Sequence, residues 1–95
     1  MNYEIEFSPN FERKLKKLLK GNSQLKKRIA KALEELTANP FAESLKTHKI
    51  STSSGTNYSS RVTGDIRIIW NFIDNKTVLL LVTIGGHEGS RGVYR

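Results

Sequence analysis

Arg61, Arg67, His87 and Tyr94, all in the last third of the chain, are residue types that phosphate chemistry uses. Arg61 and Arg67 flank a turn signal at Gly64-Asp65. His87 follows Gly85-Gly86, just past the most hydrophobic run, residues 77–84. An imidazole can hold or release a proton near neutrality. The two glycines would let backbone and substrate approach closely. A guanidinium stays charged at any relevant pH and can meet phosphate oxygens in pairs. Two cations so close repel each other unless an anion lies between them, which suits a phosphate at Arg61 and Arg67. The reaction these groups fit is metal-free cleavage of RNA. The 2′-hydroxyl attacks the adjacent phosphate, so the site needs a base, an acid for the departing 5′-oxygen and cations for the phosphorane. His87 is the candidate acid, Arg67 and Arg61 the candidate cations, and His48 a candidate base. Each has a bland alternative: a solvated histidine, a strand arginine paired with an acid, a terminal aromatic tucked against a sheet. His48 and His87 lie far apart in sequence without paired carboxylates, a poor metal constellation, so neither metal nor cofactor is expected.

The totals set the frame for these residues. Ninety-five residues suit one domain, 1–95, with a single modest core. Cysteine is absent, which excludes disulfides and thiolate metal sites and suits the cytoplasm. No apolar run approaches a membrane span, and residues 1–20 lack a signal-peptide hydrophobic region. The formal net charge is +7. Residues 11–36 hold nine basic side chains against Glu12, Glu34 and Glu35. Such clustering suits phosphate backbones or an acidic protein partner, or simply two solvated helix faces.

The elements that must position the site follow from pattern. Tyr3, Ile5 and Phe7 alternate with Glu4 and Glu6, a short strand. Ser8-Pro9 starts a helix, with Phe11, Leu15, Leu18 and Leu19 on one face and a stop at Gly21-Asn22. A second helix begins near Ser23, carries Leu25, Ile29, Leu33 and Leu36, and ends at Asn39-Pro40. Joined by about three residues, the two helices form an antiparallel hairpin, whose apolar stripes need a sheet to cover them. Residues 45–50 read as a strand and Ser51 to Asn57 as a polar loop. Residues 58–63 and 66–73 form a hairpin around Gly64-Asp65. Ile66, Ile68, Trp70 and Phe72 share one face, so Arg67 points to the other. Trp70 and Phe72 are therefore core rather than base-stacking residues. Asp74-Asn75 makes the next turn. Residues 77–84 read as a strand covered on both faces. The expected fold is α+β: a helical hairpin packed on a twisted, mainly antiparallel sheet of four to five strands.

This order of elements, with Leu45-Lys46, Arg61-Val62-Thr63-Gly64-Asp65-Ile66-Arg67, Trp70, Ile84-Gly85-x-His87 and Val93-Tyr94, resembles the RelE/ParE superfamily of type II toxin–antitoxin toxins. The resemblance covers essentially the whole chain. The hairpin is closest to the YoeB branch and the ending to the RelE branch. It implies a ribosome-dependent endoribonuclease that cuts mRNA in the ribosomal A site and inhibits translation. It also implies an acidic or amphipathic antitoxin, encoded next door, that silences it. Its partners would be that antitoxin, the 70S ribosome and mRNA, with no membrane. ParE relatives share the scaffold but poison DNA gyrase by binding, and a decayed member would only bind its antitoxin. By the resemblance, His87 aligns with the family's His or Arg acid, Arg67 with its strand arginine and Arg61 with a basic equivalent. Glu43, in an E-x-L-K pattern, aligns with a general base, and some relatives place a histidine near His48. Tyr94 aligns with a near-terminal tyrosine that stacks on a base or serves the phosphate, although one extra residue separates it from Gly85. Lys46 and Lys49, with the helix lysines, would contact ribosomal RNA by counterion release.

Overall fold

The structure, a computed structural model, describes residues 3–52, 55–73 and 77–86. The first strand, β1 (Glu4–Phe7), leads into helix α1 (Pro9–Leu19). Ser8 caps that helix by accepting from the Phe11 N–H at 3.0 Å, and Pro9 opens its first turn, as Ser-Pro predicts. Gly21 turns the chain with φ +68°, and the Asn22 side chain caps α2 (Ser23–Ala38) by accepting from the Leu25 N–H. Phe11, Ile29, Ala32 and Leu36 are the helical residues fully committed to the core. Leu15, Leu18, Leu19, Leu25 and Leu33 pack around them.

The strands β2 (His48–Thr52), β3 (Gly55–Arg61), β4 (Ile66–Ile73) and β5 (Val78–Gly86) complete one five-stranded sheet. Its order is β1-β5-β4-β3-β2. Only β1 runs parallel to its neighbour, β5; the other pairs are antiparallel. Ile68 and Trp70 of β4 and Leu79, Leu81 and Ile84 of β5 join the helical residues in one buried cluster. Among the described residues the helices therefore cover one face of the sheet, and Arg67 lies on the other, the helix-free face. The α+β architecture expected from the sequence is the architecture found, with five strands.

Three local expectations need correction. Residues 45–47 are not strand: Glu43–Leu45 form a single 3-10 turn, and β2 begins at His48. Leu45 is drawn fully into the core, and Lys46 adopts left-handed backbone at φ 49°, which no strand continues. The segment Ser51 to Asn57 is not a loop throughout, because Ser51 and Thr52 pair with Thr56 and Gly55. Backbone hydrogen bonding sustains these polar strand ends without an apolar alternation to announce them. Third, β5 reaches Gly86 rather than ending near residue 84. The Asp74-Asn75 turn lies outside the described residues.

Candidate nucleic-acid cleavage site

The hairpin of β3 and β4 places Arg61 directly opposite Arg67. Gly85 of β5 stands opposite Arg67 on its other side. Since successive residues alternate faces, Arg61, Arg67 and Gly85 share the helix-free face with Ser59, Ile69 and Thr83. His48 pairs with Ser59 and joins the same face. It is a diagonal neighbour of Arg61, roughly 7–8 Å away between Cα atoms and within reach of long side chains. Three of the residues singled out from the sequence, His48, Arg61 and Arg67, thus come together along one end of that face.

Both guanidinium groups are tethered to one atom. Arg67 donates from Nη1 to the Thr63 carbonyl at 2.8 Å, and Arg61 donates from Nε to the same carbonyl at 3.3 Å. Among the described residues neither meets a carboxylate. Each fork has five N–H donors, and among the described residues most of that capacity is not taken up. Thr63 also holds the turn itself: its hydroxyl accepts from the N–H groups of Asp65 at 3.1 Å and Ile66 at 2.9 Å. The sequence pattern announces only a Gly-Asp turn here. A threonine two residues before that aspartate is the signal that could have found the tether.

Asp65 is the other group that sequence reasoning misses. A Cβ added to Gly86 would lie 3.5 Å and 3.6 Å from its carboxylate oxygens. That puts an acid against the end of β5, next in sequence to His87. Its position depends on a contact between the β3–β4 turn and β5, which no local pattern encodes.

The remaining candidates are more dispersed. His48 is exposed, with Nδ1 3.2 Å from the Lys46 carbonyl. Glu43 and Lys46 sit at the start and the cap of the 3-10 turn, both exposed. Lys49 pairs with Tyr58, which stacks on Trp70, so it lies on the helix-bearing side of the sheet, away from the arginines. Trp70 is fully buried and donates from Nε1 to Ser60 Oγ, as a core residue should. His87 and Tyr94 lie outside the described residues. Among the described residues no group of three His, Cys, Asp or Glu could hold a metal ion, and no helix is long and apolar enough to cross a membrane.

Comparison with known proteins gives this arrangement a context. Residues 5–90 match the family model described as the ParE toxin of type II toxin–antitoxin systems, parDE. A metal-bound toxin from Helicobacter pylori is 27% identical, with a TM-score of 0.72 over 92% of this chain and 96% of that one. YafQ in the Escherichia coli DinJ–YafQ toxin–antitoxin complex is 19% identical, with a TM-score of 0.72 over 92% and 94% of the two chains. A YoeB/ParE toxin from Agrobacterium tumefaciens is 13% identical, with a TM-score of 0.75 over 90% and 99%. No curated protein matches the chain in sequence. The family match spans nearly the whole described fold, and the helical hairpin on its mixed sheet is the one these toxins share. The chain belongs to the ParE toxin family of type II toxin–antitoxin systems, within the RelE/ParE superfamily.

Proposed function

We propose that this toxin is a ribosome-dependent endoribonuclease that cleaves mRNA in the ribosomal A site and so inhibits translation. The observation that carries this reading is the opposed pair Arg61 and Arg67 on the helix-free face. Like charges held opposite each other, with no carboxylate against them among the described residues, are a poor way to build a hairpin and a good way to hold a phosphate. In the reaction the 2′-oxygen forms a bond to phosphorus while the bond to the 5′-oxygen breaks. A base takes the 2′-hydroxyl proton and an acid returns one to the 5′-oxygen, leaving a 2′,3′-cyclic phosphate and a 5′-hydroxyl. The arginines stabilise the phosphorane charge. His48 serves as base, supported by its place on the same face beside Arg61, with Glu43 and Asp65 as rivals. His87 serves as acid and Tyr94 as a stacking or phosphate-contacting group, both supported by resemblance. Lys46, Lys49 and the helix lysines contact ribosomal RNA. An antitoxin partner is supported by the YafQ relative, whose structure is that of a complex with DinJ.

A second reading, a ParE-like toxin that inhibits DNA gyrase by binding, comes from the sequence resemblance alone. Primer extension on mRNA after induction separates the two, with Arg67→Ala and His87→Ala in parallel. Cuts within codons that vanish in the variants are expected. Intact mRNA with DNA damage would overturn the nuclease in favour of gyrase inhibition, and expression without growth arrest would overturn both.

A further inference from the structure

The pairing of β4 with β5 is interrupted once. Ile69 pairs with Thr83 and Trp70 with Leu81, so Val82 is an extra residue, a β-bulge. In a regular strand consecutive carbonyls point to opposite edges. Here the Leu81 and Val82 carbonyls are both taken by the segment that follows β1. The Ser8 N–H donates to the Leu81 carbonyl at 3.0 Å. The Ser8 hydroxyl donates to the Val82 carbonyl at 2.8 Å, and Asn10 Nδ2 donates to it at 3.3 Å. Ser8 and Asn10 thus pin the bulge at Val82. Moved one residue on, the bulge would stand Val82 opposite Ile69 and still leave Ile84 in the core. The pin selects Thr83 instead.

That selection costs the fold something. Thr83 is 8% exposed, and its Oγ1 is buried without a hydrogen-bond partner among the described residues. A buried hydroxyl left unpaired is a group that a valine of the same shape would improve upon. Yet Thr83 is the diagonal neighbour of Arg67 on the helix-free face, with side-chain-less Gly85 between them.

We propose that Thr83 is a phosphate-binding residue of the arginine site, its hydroxyl reserved for a phosphate oxygen held by Arg67, and that Ser8 and Asn10 are positioning residues that place it there through the bulge. The role of Thr83 in cleavage rests on the nuclease reading; its role in binding phosphate does not.

The test compares Thr83→Val and Thr83→Ser with wild type in three measurements: thermal unfolding, stabilisation by inorganic phosphate, and cleavage of mRNA on ribosomes. Thr83→Val should unfold at the same temperature or higher, bind phosphate roughly tenfold more weakly and cleave roughly tenfold more slowly. Thr83→Ser should recover binding and cleavage to within about twofold. Wild-type phosphate binding and cleavage in Thr83→Val would overturn the proposal, and so would a clear loss of stability, which would mean the hydroxyl is spent on the fold. Phosphate binding that depends on Thr83 in a protein that cuts no RNA would sink the nuclease and leave the site standing. The pin is read by adding Ser8→Asp and Asn10→Asp. Both replacements keep an acceptor, for the Phe11 N–H and for Arg13 respectively, but lose the donor to Val82. They should weaken phosphate binding in the Thr83 protein and change nothing further in Thr83→Val. Equal weakening in both backgrounds would overturn the positioning role.

Discussion

Arg61 and Arg67 stand directly opposite each other, a placement that costs a hairpin about 0.2–1 kcal/mol for like charges. Residues kept for stability alone would not be arranged this way. Arg61→Gln should therefore leave the unfolding temperature unchanged or raise it slightly, while ribosome-dependent cleavage falls by roughly tenfold or more. Lower stability with unchanged cleavage would count against the pair as a phosphate site. Arg67→Lys makes a finer distinction, because it keeps the charge and loses the planar fork. Its cleavage should fall nearly as far as that of Arg67→Ala; a Lys variant with wild-type activity would reduce the role to bare charge. His48 is exposed and its hydrogen-bond partner among the described residues is a carbonyl, so His48→Gln should leave the fold intact. If His48 is the base, cleavage drops by about a hundredfold; if cleavage persists, the base is Glu43 or Asp65. At this scale the sequence was informative. Alternation of Ile66, Ile68 and Trp70 was enough to turn Arg67 away from the core, but a two-residue turn at Gly64-Asp65 would set Arg61 across from Ile68; β3 ends at Arg61, and the longer connection over residues 62–65 sets it across from Arg67 instead. Asp65 was not legible as a neighbour of Gly86, because that contact joins the β3–β4 turn to the end of β5 through space.

The β3–β4 hairpin works as an element because two of its residues, Ser60 on β3 and Thr63 in the turn, serve different sides of it. On the helix side, Ser60 is buried and its hydroxyl joins Trp70 Nε1 at 2.8 Å to Thr47 Oγ1 at 2.6 Å, and Thr47 reaches on to the Pro40 carbonyl. This chain of bonds ties the 3-10 segment to the sheet. Ser60→Ala leaves buried donors unpaired and should destabilise by about 1–3 kcal/mol in chemical denaturation, with cleavage unchanged well below the melting temperature. On the turn side, Thr63→Val removes the hydroxyl that accepts from Asp65 and Ile66. It should cost only about 1 kcal/mol yet slow cleavage severalfold, because the loosened turn no longer holds the carbonyl that tethers both arginines. If the two variants show the reverse pattern, the division of the hairpin into a structural and a functional side is wrong. The helices and their caps were readable because Ser8-Pro9, Gly21-Asn22 and Asn39-Pro40 are local signals. The strand ends were less so. Ser51, Thr52, Thr56 and Asn57 lack apolar alternation, and Leu45 was drawn into a 3-10 turn by core burial rather than by propensity. The bulge at Val82 lies inside a continuous apolar run, where periodicity has nothing to report.

Among the described residues the basic charge is divided by the sheet. The net charge is +7, and the exposed lysines and arginines of α1 and α2, among them Lys16, Lys17, Lys26, Lys27 and Arg28, lie with the helices on one side. Arg61 and Arg67 lie on the other. On the proposed nuclease reading, the helices would grip one stretch of nucleic acid and the arginine face would receive a second. The two sets of cations should then fail differently. Lys26→Gln with Lys27→Gln removes two exposed charges from α2 without touching the core. Binding to ribosomes should weaken, and the dependence of log affinity on log salt should become shallower by roughly 0.7–0.9 for each phosphate that is no longer neutralised. Cleavage at saturating ribosomes should stay near the wild-type rate, because those lysines act on association rather than on the transition state. Arg67 variants should do the opposite, lowering the saturated rate while leaving the salt dependence close to wild type. The measurement is a titration of ribosomes at several salt concentrations, read as an affinity and a plateau rate for each variant. A lysine variant that loses plateau rate, or an arginine variant that loses only affinity, would mean the two faces address one ligand, and the sheet would no longer separate capture from chemistry.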